Sequence, residues 1–198
     1  LTELVLTAYD VQRYLREALP ALRAAIYRGD VSQAKDVLAL YDDALYDEDA
    51  LSQALIGQDY SWVFTEDAVD AEVRDPRGTL VDLIYPLILV YQQPDLFQVE
   101  VTELDGVIPI WHFLATGELD VPGVAPVQPG FREGLRAMWE IVGFLTPEAT
   151  QALWQYCATA GLDRARNRSE ETARLVEDMA EGLQAVVEHG LGLIIERD

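Results

Sequence analysis

A predominantly helical α+β fold follows from three observations. Short extended stretches stand near both ends of the chain, "ELVLTAY" and "LGLII", and a third, "LFQVEVTEL", stands near the middle. The segments between them carry apolar residues at helical spacing. Glycines, prolines and capping residues punctuate those segments at short intervals. At 198 residues, half hydrophobic and a quarter charged, the chain can bury one substantial core. A single domain over 1–198 is expected, with a small sheet that includes the N- and C-terminal strands.

Each element has its own signal. Leu4 to Tyr9 is rich in residues that favour a strand. Asp10 is placed to cap a helix reaching about Arg28, broken or bent by Pro20. Gly29 stops it, and Asp30 with Gln33 three residues on gives a capping box for a second helix, striped by Val37, Leu38, Tyr41 and Leu45. Short helices are expected over residues 49–57 and from Thr65. Thr79 to Tyr91 is the most apolar segment and suits a buried helix, with a buried strand as competitor. Phe97, Val99, Val101 and Leu104 alternate at nearly strand period.

In the second half, a helix is expected from Val107 to Gly117. A loop follows to Gly130 around Pro122, Pro126 and Pro129, and then a helix over Phe131 to Val142. Thr146 and Pro147 supply a cap and first-turn proline for a helix through Ala160, followed by the polar link "DRARNRSEE". Ser169 caps the longest helix, with Leu175, Met179, Leu183 and Val186 on one face. Gly190 ends it beside His189, and Leu191 to Ile195 closes the chain as a strand.

Charge narrows the function. Fourteen basic residues against thirty-five acidic give a net charge of −21. Such a field opposes nucleic acid and anionic membrane surfaces, and favours solubility and basic protein partners. From Tyr41 to Pro76, eleven carboxylates face Arg74 alone, a net of −10. Tyr41, Tyr46, Tyr60, Trp62 and Phe64 interleave with them. Carboxylates that steer and aromatics that anchor make a surface for an Arg/Lys-rich protein, with Asp43, Asp47, Tyr60, Trp62 and Asp67 as its candidate contacts. The competing reading packs the rings inside and leaves the acids as their solvated backs.

Metal and nucleophile chemistry find little support. Asp43 and Asp47 share a helix face, but the run "DDALYDED" lacks the glycine and ligand order of a calcium loop. No metal site and no cofactor are expected. Cys157 is the sole cysteine, so an internal disulfide and a cysteine-built zinc site are excluded, and a reducing cytoplasm suits it. Its spacing from Leu153 and Ala160 places it on an apolar face, as a core thiol. No G-x-S-x-G and no phosphate-binding glycine loop occurs. The cluster Arg164, Arg166, Arg168 with Arg174 suits a phosphate or carboxylate, or the chain's own excess acid, which is preferred. No basic-headed apolar leader opens the chain. The longest apolar run, "LVDLIYPLILVY", is interrupted by Asp82 and Pro86 and is too short to span a bilayer.

One histidine stands out. His112 lies between Trp111 and Phe113, just before the Gly117–Gly130 loop, where a pocket for a small molecule is expected if the protein is an enzyme or sensor.

Three stretches resemble the YfbM-like family of uncharacterised bacterial proteins. "IPIWHFLATGE" is similar to its Trp, His and Leu-Thr-Gly block. "GFLTPEATQALWQY" is similar to its loop, Thr-Pro-Glu cap and helix, and "LQAVVEHGLGLIIERD" to its closing helix, glycine and strand. They occur in the same order and cover roughly the C-terminal half. The resemblance implies one α+β domain and points to Trp111, His112 and Gly117. It implies no activity.

The leading expectation is therefore a non-enzymatic, cytoplasmic acidic binding module for a basic protein, of inhibitor or immunity type. The alternative is a small-molecule enzyme or ligand sensor with a pocket at Trp111, His112 and Gly117. A third reading is a scaffold or homo-oligomer; the sequence leaves oligomeric state open.

Overall fold

The structure, a computed structural model, describes residues 3–40, 59–65, 86–102 and 141–197. It is α+β, with more helix than strand. The described residues divide into two compact units. One holds 3–11, 93–102 and 141–197; the other holds 12–40, 59–65 and 86–92.

The first unit is built on a four-stranded antiparallel sheet. Its strands are β1 (Glu3–Tyr9), β2 (Gln98–Thr102), β3 (Ile141–Leu145) and β4 (Gly192–Arg197), in the order β2-β1-β4-β3. The strands nearest the two ends of the chain thus pair in the middle of the sheet. Their register sets Leu6 opposite Ile195 and Ala8 opposite Leu193, while Leu4 pairs with Val101 of β2 on the other side. Ala8 extends the seam: its N–H donates to the Phe97 carbonyl at 2.9 Å, and its carbonyl accepts from Gln93 N–H at 2.8 Å.

Alternation along the strands turns Leu4, Leu6, Ala8, Val101, Leu193 and Ile195 toward one core. That core is closed by α3, comprising Pro147–Tyr156, a π-helical Cys157–Gly161 and Leu162–Arg166, and by α4 (Glu170–Glu188). Leu153, Tyr156 and Cys157 from α3 meet Val176, Met179, Leu183 and Val186 from α4. Each fully buried aliphatic side chain of this set contributes about 1.5–3 kcal/mol. Thr7, Tyr9 and Ile194, which alternate with those residues along the strands, are buried as well.

Two close approaches tighten the core. A Cβ at Gly182 would overlap the Phe97 ring, so α4 lies directly on that ring. A Cβ at Gly161 would come within 2.9 Å of the Tyr156 carbonyl and crowd its ring, which fits a wider turn at that point of α3.

The second unit contains α1 and α2 (Ser32–Leu38). α1 runs as Val11–Arg13, a π-helical Tyr14–Ala18 and Leu19–Arg28; Val11 itself belongs to the first unit. Ala18, Ala21, Ala24 and Ala25 are buried along α1 with Tyr14, Leu19 and Leu22, and Ala34, Val37 and Leu38 are buried on α2. Short helical turns at Trp62–Thr65 and residues 86–89 complete the described part.

The signals read from sequence explain most boundaries. The Thr146 hydroxyl accepts from Ala149 N–H at 3.2 Å, and Ser169 Oγ accepts from Thr172 N–H at 3.0 Å. Gly29 and Gly190 end their helices at φ 65° and 67°, where a Cβ is unfavourable.

Four expectations are corrected. Ile141 and Val142, expected to end a helix, begin β3; the strand forms because β4 offers its open edge. A register shift between Ile141 and Gly143 is absorbed by Gly143 at φ 146°. α3 does not stop at Ala160 but runs to Arg166, taking in the first four residues of the expected polar link. Asp30 does not cap α2. Its carboxylate accepts from Ser32 N–H at 3.1 Å and Ser32 O–H at 2.6 Å, and the helix starts at Ser32 without a side-chain cap. Of the break or bend expected at Pro20, the break does not occur. The Leu19 N–H reaches back five residues to the Tyr14 carbonyl, a widened turn just before the residue that has no N–H to donate.

Of the segment from Thr79 to Tyr91, the described end is a helical turn with Leu87 and Ile88 buried, in keeping with the helix reading. The helices expected over 49–57, after Thr65, from Val107 to Gly117 and over 131–140, and the loop over 117–130, lie outside the described residues.

Candidate functional site

Two groups of described carboxylates bear on a site. The first is the outward face of α4. Ala173, Val176, Met179, Leu183 and Val186 turn inward, so Glu170, Glu171, Arg174, Asp178, Glu181, Gln184 and Glu188 are left in water. Glu170 and Glu171 suit the positive end of the helix, and Glu170 also accepts from Arg174 at 2.6 Å. Glu177 takes Arg166 at 2.9 Å, and Glu188 accepts from the Gln184 amide at 2.8 Å. The side chains of Asp178 and Glu181 have neither an ion pair nor a hydrogen bond among the described residues. The C-terminal half of α4 therefore presents carboxylates that no cation of the helix answers.

The second setting is Glu17, on the π-helical part of α1. Arg13 Nη2 lies 3.1 Å from one carboxylate oxygen and Arg16 Nη2 3.0 Å from the other. The Tyr91 hydroxyl donates at 3.2 Å, and the Arg13 guanidinium lies 5.1 Å over the Tyr91 ring. Arg13, then Arg16, lower the Glu17 pKa to about 2; Tyr91 adds to this, and partial desolvation opposes it. Both oxygens of this carboxylate are engaged, so the cluster ties α1 to the turn ending at Tyr91 and leaves no carboxylate oxygen free for a ligand.

The anchoring rings are placed differently from expectation. Tyr60 and Trp62 are 5% and 7% exposed, with ring centroids 6.5 Å apart. As buried residues they pack, and the role of exposed anchors does not apply to them. Among the described residues the exposed aromatic side chain is Tyr27, 54% exposed, stacked on Phe64 at 5.5 Å with Arg23 5.7 Å from the Phe64 centroid. Asp43, Asp47 and Asp67 lie outside the described residues, as do Trp111, His112 and Gly117.

The remaining chemistry-bearing groups have structural settings. Cys157 is fully buried and free, and burial pushes its thiol up to about 12. The His189 Nδ1 lies 2.8 Å from the Ala185 carbonyl, so that nitrogen carries a proton and closes the end of α4. Arg166 and Arg174 bind the chain's own acids, as preferred from sequence. Arg164 lies by Tyr156, whose hydroxyl pKa is raised by burial against that charge. Among the described residues no three His, Cys, Asp or Glu side chains gather as a metal site.

Sequence reading had not singled out Glu17, although Arg13 and Glu17 stand at i, i+4 and could have been paired. Tyr91, 74 residues away, carried no such signal. Comparison with protein-family models, with curated proteins and with solved structures finds no match to this chain. No described helix is long and apolar enough to cross a membrane.

Proposed function

We propose that the protein is a non-enzymatic binding module that engages a basic protein through its excess of carboxylates, as an inhibitor or immunity-type partner in a reducing cytoplasm. The observation that carries this reading is the unanswered negative charge. The whole chain stands at −21, and residues 41–76 alone hold −10. Where carboxylates are described on α4, Asp178 and Glu181 meet no cation among the described residues. Charge of one sign in excess of local pairing speeds encounter with a cationic surface and selects against anionic ones.

The proposed contacts are Asp43, Asp47 and Asp67. Tyr60 and Trp62 leave the contact set because they are buried. A distant kinship with the YfbM-like family is part of the proposal. It is supported by the Thr146-capped α3 and by the succession of α4, Gly190 and β4, which match the order of that resemblance.

The test is capture of an Arg/Lys-rich protein at low and high salt. Binding should fall steeply with salt. The triple reversal Asp43→Lys, Asp47→Lys, Asp67→Lys should weaken it at least tenfold. An equal reversal on α4, Glu171→Lys, Asp178→Lys, Glu181→Lys, should have a smaller effect. Equal loss from both variants would reduce the interaction to bulk charge, and unchanged binding in the first would reject the proposed face.

A further inference from the structure

We draw no further inference here: the strongest candidate, the surface patch on the outer side of α1 where Tyr27 stacks on Phe64 beneath the Arg23 guanidinium, has nothing in the structure to show what covers it.

Discussion

Glu17 and Cys157 illustrate how one side chain's surroundings decide its chemistry. Two guanidiniums and a phenol favour the charged form of Glu17, so its folded pKa of about 2 lies below the unfolded value of 4.5. Its contribution to stability is complete above the unfolded pKa and is lost as pH falls from there toward 2. Because the cluster is open to solvent, the amplitude is modest. Glu17→Gln should flatten the acid limb of the urea midpoint between about pH 5 and 2, and leave the midpoint's slope with pH unchanged near neutrality. An unaltered acid limb would refute the role assigned to this carboxylate.

Cys157 is the opposite case, because no cation offsets its burial and the neutral thiol is favoured. It should resist a thiol reagent such as dithionitrobenzoate in the folded protein at pH 8 and react with full stoichiometry in guanidinium chloride. Rapid labelling of the native protein would place the thiol at the surface.

At the scale of elements, the clearest constraint is where α4 crosses the Phe97 ring. Gly182 sits inside a helix, where alanine would ordinarily be favoured by about 1 kcal/mol. Here the added Cβ would overlap the ring. Gly182→Ala should therefore destabilise the protein by about 1–3 kcal/mol, read as a lower urea midpoint. A rise in midpoint would mean that α4 stands further from the Phe97 ring.

Element-scale reading also separates what sequence can announce from what it cannot. Thr146 and Ser169 are visible as caps because the amides they satisfy lie three residues away. β1 is visible through its strand-favouring residues and β2 through its alternation. β3 is not. "IVGFL" is five residues with a bulge at Gly143, and its hydrogen-bonding partner is β4, about fifty residues on. The π-helical turns of α1 and α3 are hidden for a related reason, since Pro20 and Gly161 look like breakers and the packing that carries a helix through them is not local.

Across the whole molecule the dominant physical fact is the charge. At −21 the folded chain repels itself, and screening relieves the repulsion; the Debye length falls from about 30 Å at 0.01 M to about 8 Å at 0.15 M salt. The urea midpoint should therefore rise between 10 mM and 500 mM sodium chloride. A fall would show that ion pairs such as Arg13–Glu17 and Arg166–Glu177 outweigh the repulsion. The same salt that stabilises the fold should weaken capture of a basic partner, so stability and binding should move in opposite directions.

Composition and short-range pattern by themselves determined the α+β class, the strands nearest both ends, the long capped helices, the core position of Cys157 and the acidic character. Those properties rest on residues within a few positions of one another, or on simple sums. Tertiary structure alone decided that β1 lies between β2 and β4, that Ile141 starts a strand, that Tyr60 and Trp62 are buried, and that Tyr91 closes the Glu17 cluster. Each of those depends on partners far apart in the chain, and local preference carries no record of which distant surface a side chain will meet.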